Sequence, residues 1–382
     1  MMATEETQAP YGVSPFQSFF MGGFECSSHK RADGKRLDLI AATQHDLRAC
    51  DDYKLLVVHG LRTVRDGVRW HLIERQQGRY CFDSFLPMLR AADKAGTQVI
   101  WDLLHYGYPD WLDPWSSSFL DCAAAFARSI ASLVRDESDR IPFYTPVNEI
   151  SFWAWGGGDV GYLNPFSTDR GDAFKVQLIR AAIAMIGAIR EVDPRARIVS
   201  AEPLIHVHPR SDSPTDRAAA ESYNFAQRDA QDAIAGRCWP QLGGKPEYLD
   251  LVGLNFYANG QWIEGSQRDR VVYGDARFRP LRHLLADAYT HHRAPIFIAE
   301  TGIEGNEGAP WLRYVATEVE AARAAGIAVE GICIYPILNH LGWDDDRYCP
   351  NGLFDGAAPT GVRKVWPPLA DELARWQSGL AP

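Results

Sequence analysis

Short apolar runs rich in β-branched and aromatic residues alternate along the chain with polar or Gly/Pro loops and longer stretches of helical period. The runs are "SFFMGGFEC" (18–26), "GVRWHLI" (67–73), "TQVIWDLLHY" (97–106), "IPFYTPVNE" (141–149), "RIVSAEPLI" (197–205), "YLDLVGLNFY" (248–257), "APIFIAETG" (294–302) and "EGICIYPIL" (330–338). Helical stretches fall near 44–58, 82–96, 118–137, 171–192, 214–235, 280–292, 309–326 and 366–378. A period of two predicts strands and a period of 3.6 predicts helices. "DPW" and "STDRGDAF" supply helix starts, and Gly96 and Gly326 sit where a helix C-terminus favours glycine. The alternation predicts an α/β fold, a (β/α)8 TIM barrel in one domain over 16–382 behind an N-terminal tail over 1–15. Alternation alone also fits a doubly wound sheet, so the residues at the strand ends decide between them.

Composition narrows the function classes. The chain has 382 residues, 46% of them hydrophobic and 23% charged, which is the make-up of a soluble protein with a large core. A formal charge of −10 and no long basic run argue against nucleic acid or an anionic membrane as partner. No apolar stretch approaches the length of a membrane span, and the first residues lack the pattern of a signal peptide. Seven cysteines form no CxxC pair and suit small core residues in a reducing, cytoplasmic setting. A homo-oligomer is compatible with all of this.

The strand ends carry the chemistry. They supply Glu25, Cys26 and His29, then Arg69 and His71, His105 and Tyr106, Asn148 and Glu149, Glu202 and His206, Asn255 and Tyr257, and Glu300, with Asn339 and Trp343 after the eighth. In a barrel these face one cavity, with Glu149 and Glu300 approaching from opposite sides. Cleavage of a glycosidic bond needs such a pair, one carboxyl protonated to donate and one ionised to attack. Retaining chemistry holds the two about 5 to 5.5 Å apart. Environment must split their pKa values, and Arg69 and Tyr257 are the candidates for keeping one of them charged. Asn148 stands beside Glu149, in reach of a sugar hydroxyl. Twelve Trp and fifteen Tyr offer platforms for sugar rings as well as core.

Five segments, in order along nearly the whole chain, resemble family 1 glycoside hydrolases, the β-glucosidase group of the retaining (β/α)8 clan. "TPVNEI" resembles that family's Thr-x-Asn-Glu-Pro and "FIAETGI" its Thr-Glu-Asn-Gly. "LLHYGYPDWL" is similar to the strand-3 His-Trp segment, "LNFYANG" to the strand-6 Asn-x-Tyr, and "NHLGWDDDRYCPNGLFD" to the strand-8 tail. The resemblance implies Glu149 as acid/base and Glu300 as nucleophile. It implies Arg69, Asn148, Asn255 and Tyr257 around them, with His105 and Trp343 on the sugar, and no cofactor. Ile150 stands where the family has Pro, and Thr301 where it has Asn. His29 takes the place of a hydroxyl-binding Gln, Tyr335 of a Trp, and Gly342 of a hydroxyl-reading Glu. These departures leave the cleavage pair and alter the sugar-reading set.

Other readings stay open at this stage. They are a transglycosidase with the same residues, or a carbohydrate-binding barrel without turnover. "HVH" at 206–208 puts two imidazoles on one face of a strand, but the third and fourth ligands of a zinc site are missing, so no metal is expected. Glu25, Glu202 and His206 could each be buried partners or part of the site.

Overall fold

The computed structural model describes residues 14–356 and 362–379. Of the tail expected over 1–15, all but Ser14 and Pro15 lies outside the described residues. Eight parallel strands close into a barrel: β1 (Phe20–Gly23), β2 (Thr63–Gly67), β3 (Gln98–Asp102), β4 (Phe143–Thr145), β5 (Arg197–Pro203), β6 (Leu251–Asn255), β7 (Ile296–Thr301) and β8 (Val329–Ile334). Each pairs with its chain neighbours and β8 closes onto β1. The doubly wound alternative is thereby excluded.

Helices follow the strands as the periodicity predicts, for instance Phe119–Glu137, Gly171–Val192 and Gly308–Ala324. The stretch expected at 214–235 divides into Pro214–Ala226 and Asp229–Ile234. Gly96 takes φ +76 and Gly326 φ +85, the left-handed geometry that ends a helix most cheaply in glycine.

The second strand is the one element displaced. It lies at Thr63–Gly67, while Trp70–Ile73, inside the run expected to be that strand, is helical. Arg65 and Asp66 make "TVRDG" look like a loop, yet both are buried. A strand whose interior residue is charged hides from a hydrophobic pattern.

The lower barrel is apolar and closed. Met21, Ile100, Phe143, Val199, Phe297 and Cys333 fill it, and Phe16 plugs the end, its ring 5.0 Å from Phe297 and 5.9 Å from Phe143. Inside the barrel the buried charges gather toward the C-terminal ends of the strands, where Arg65, Asp102 and Glu300 meet.

Candidate active site

Backbone geometry aims the first carboxylate. Beyond β4 the chain turns sharply, and Glu149 takes φ +46, ψ +60, a left-handed conformation costly for a side chain with a Cβ. Neighbouring strands hold it there: Asn148 N–H donates to Leu104 O (3.0 Å) and Glu149 N–H to Ala201 O (2.9 Å). The helix Ile150–Trp153 starts at once, and its first amides donate to Glu202, Ile150 N–H at 2.7 Å and Ser151 N–H at 3.0 Å. Glu202 is thus a cap that anchors the turn after Glu149, which answers one of the open strand-end roles. Gly157 and Gly158, in the π-helical turn Ala154–Asp159, have no room for a side chain. A Cβ would lie 2.6 Å from Asn164 O and 2.9 Å from Gly171 Cα, respectively. The Trp-rich segment divides in role: Trp153 is buried against Phe174 and Trp155 lines the cavity.

Glu149 and Glu300 line one cavity of about 570 Å³ at the C-terminal face, together with Glu25, His105, Asn255, Tyr257 and Trp343. Their partners differ. Glu300 Oε1 accepts from Arg65 Nη1 (2.9 Å) and Oε2 from the Tyr257 hydroxyl (2.8 Å). Glu149 meets only neutral donors, the Tyr106 hydroxyl at Oε2 and Asn255 Nδ2 at Oε1 (2.9 Å). Burial pushes both carboxyls up, with the Glu202 charge adding to the rise at Glu149 and the Glu149 charge to that at Glu300, while the Arg65 guanidinium opposes it at Glu300. With a guanidinium on Glu300 and neutral donors on Glu149, the hydrogen bonding favours the pair's proton on Glu149.

The guanidinium expected from Arg69 comes instead from Arg65. Arg69 lies past the end of β2 as the residue before a short helix, and its Nη1 donates to Asp38 (3.1 Å) and Asp46 (3.0 Å). Arg65 points inward from β2 and, besides Glu300, bonds Asp102 (2.6 Å) and Asn148 Oδ1 (2.9 Å). Since the Asn148 oxygen faces Arg65, its Nδ2 faces His105 Nε2 (3.2 Å) and the Tyr106 hydroxyl (3.2 Å). Nε2 must then accept, and the His105 proton sits on Nδ1 toward Asp102 (3.2 Å).

The remaining predicted residues surround this network. Tyr335 follows β8, stacked parallel to His105 at 6.3 Å and under the Arg65 guanidinium at 5.6 Å. Trp343 is on the cavity wall, edge-on to Tyr106 (5.7 Å) and His29 (4.8 Å). His29 is buried against both rings rather than on the wall, and burial drops its pKa to about 3. His206 and His208 pair edge to face at 4.5 Å in a small outer sheet, and His208 bonds Gln261. Cys26, Asp102 and His105 bring three ligand-type atoms within 4.8 Å of one another. A cation there would face Arg65 on the same Asp102 oxygen, so the donor set suits a hydrogen-bond network better than a metal. Arg65 and Asp102 are the residues that sequence reasoning missed. The signal was the charged pair inside "TVRDG" and the Asp that ends "QVIWD".

No protein-family model matches the chain, and no curated protein matches it in sequence. Solved structures match it along almost its whole length. The family 1 β-glucosidase from Thermotoga maritima superposes with a TM-score of 0.76 at 14% identity, covering 96% of this chain and 98% of its own. The complex of β-glucosidase from the same organism with glucoimidazole gives 0.75 at 15% identity, covering 97% and 100%. The fold is that of the family 1 β-glucosidases. The AHE enzyme from Alicyclobacillus herbarius shares it, with a TM-score of 0.77, 18% identity and coverage of 94% and 98%. At such identities the likeness is one of fold. No helix among the described residues is long and apolar enough to cross a membrane.

Proposed function

We propose that this protein is a retaining β-glycosidase, a divergent member of family 1, that hydrolyses a small β-glycoside by double displacement. One observation carries the reading. Two buried carboxylates from β4 and β7 share a single cavity in unequal surroundings, Glu300 beside a guanidinium and Glu149 among neutral donors. Such a split is what one acid and one nucleophile require.

In the first step Glu149 gives its proton to the leaving oxygen as the Glu300 carboxylate attacks the anomeric carbon. Arg65 and Tyr257 hold Glu300 charged and in place. As the glycosyl ester forms, the Glu300 charge is lost, its repulsion of the second carboxylate vanishes, and Glu149 can remain ionised. Glu149 then takes a proton from water, whose attack on the anomeric carbon releases Glu300 and the sugar with its configuration kept. The whole barrel, residues 16–382, is one catalytic domain. Its seven free cysteines suit a reducing, cytoplasmic setting.

A 2-deoxy-2-fluoro aryl glycoside should inactivate the enzyme and leave its sugar on Glu300, read by peptide mass spectrometry. Glu300→Gly should lose turnover and regain it with azide, giving an inverted glycosyl azide. Near wild-type turnover by Glu300→Gly would overturn the assignment.

A further inference from the structure

The polar groups around the two carboxylates are nearly all spent on one another. Both ends of the Asn148 amide are engaged, by Arg65 on one side and by His105 and Tyr106 on the other. His105 uses both ring nitrogens, the Tyr106 and Tyr257 hydroxyls donate to Glu149 and Glu300, and those carboxylates have both oxygens occupied. A sugar entering the cavity would have to break these bonds or find another acceptor.

Glu25 supplies one. It follows β1, is nine-tenths buried, and lines the same cavity as Glu149 and Glu300. Its Oε1 is fixed by Ser27, through the backbone N–H (3.0 Å) and the hydroxyl. Oε2 has no hydrogen-bond partner among the described residues and is not sealed from solvent, so it is open to the cavity. Among the described residues no Lys or Arg pairs with Glu25. The buried guanidiniums are committed elsewhere, Arg65 to Asp102, Glu300 and Asn148 and Arg69 to Asp38 and Asp46. A fixed carboxylate with one free oxygen and no counter-cation wants hydroxyl donors.

We infer that Glu25 is a specificity-determining residue, its Oε2 accepting from hydroxyl groups of an uncharged sugar held against Glu300. The inference rests on the glycosidase reading. It places the reader of the sugar at the end of the first strand, whereas position 342, after the adjacent eighth strand, is a glycine and can read nothing through a side chain. Glu25, Glu149 and Glu300 together also disfavour a phosphate or carboxylate beside them, the cations of the same wall being Lys175, bonded to Asp229, and Arg270, bonded to Asn259 O.

The test uses 4-nitrophenyl β-glucoside and β-galactoside, their 3-, 4- and 6-deoxy analogues and the 6-phosphates, with wild type and Glu25→Gln, a near-isosteric change. For the parent sugar Glu25→Gln should lower kcat/KM about tenfold to a hundredfold, the range for a hydrogen bond to a charged group. The loss should shrink to little on the deoxy analogue that lacks the hydroxyl it reads. Neutral D-gluconolactam, titrated calorimetrically, should bind Glu25→Gln correspondingly more weakly, a readout independent of turnover. Equal losses on every analogue with unchanged lactam affinity, or wild-type preference for a 6-phosphate, would overturn the inference while leaving the glycosidase reading standing. A wild type that neither cleaves the glycosides nor binds the lactam would overturn both.

Discussion

Two arginines four positions apart make the sharpest test at the residue scale. Arg65 is buried between Asp102 and Glu300, whereas Arg69 bonds Asp38 and Asp46 outside the pair. Arg65→Lys keeps the charge but cannot fork to Asp102, Asn148 and Glu300 together. It should cost on the order of 10²-fold in kcat/KM, as loss of an electrostatic clamp does. The acid limb of the pH profile should rise with it, because an ammonium drawn to Asp102 no longer faces Glu300 as the forked guanidinium does. Arg69→Lys should leave both the rate and that limb near wild type, and the reverse ranking in steady-state kinetics would reinstate Arg69. Tyr106 gives a second case. Its hydroxyl donates to Glu149 and favours the ionised form, so Tyr106→Phe should raise the pKa of Glu149. Asn255, Glu202, His105, Glu300, Glu25 and Tyr257 also face this pair and are unchanged by the substitution. A general acid must be protonated, so the alkaline limb of kcat/KM should move to higher pH and the acid limb stay. Movement downward would mean that Tyr106 accepts rather than donates. Glu149 and Glu300 were legible in the sequence because carboxylates at the ends of two apolar runs stand out. The Tyr106 contact was not, since a hydroxyl's direction depends on a left-handed backbone at φ +64 that no pattern reports.

At the scale of elements, legibility followed the fit between burial and apolarity. β7 and the helix Gly171–Val192 came within two residues of their observed ends because their buried faces are apolar. β2 was displaced because the barrel needs Arg65 inside it. The helix Ile150–Trp153 was hidden for another reason. It is a single turn whose cap, Glu202, comes from β5 some fifty residues on, so no local capping signal exists. Removing that cap by Glu202→Ala should cost about 1–2 kcal/mol, the usual worth of a cap, and lower the melting temperature by a few degrees. Because the turn also aims Glu149, kcat should fall more for glycosides with poor leaving groups than for aryl ones. A uniform fall across leaving groups would show that the turn holds its shape without Glu202.

Across the whole molecule, two buried networks set how stability varies with pH. His45, stacked on Phe24 at 3.6 Å, lies between Asp52 and Asp66 at 2.8 Å each, and Arg363 ties the C-terminal segment to Asp52. Burial alone would push His45 down, but the two aspartates overcome it and lift its pKa to about 9. A folded value above the unfolded 6.5 means stabilisation that is full below pH 6.5 and is lost as pH climbs through 9. The active site adds to this fall. Glu149 is held above its ordinary 4.5 by burial, so the folded state keeps that proton longer than the unfolded chain does. Its contribution to stability therefore declines as pH rises past 4.5. Glu149→Gln removes the charge at almost no cost in shape, and Asn255 can turn its unpartnered Oδ1 toward the new amide. Thermal unfolding should then show Glu149→Gln melting higher than wild type at pH 8, with the advantage gone at pH 4. His45→Gln should instead flatten the decline between pH 6.5 and 9. A Glu149→Gln protein no more stable than wild type at pH 8 would mean that the carboxylate is not strained by its burial, and the splitting of the pair would need another cause.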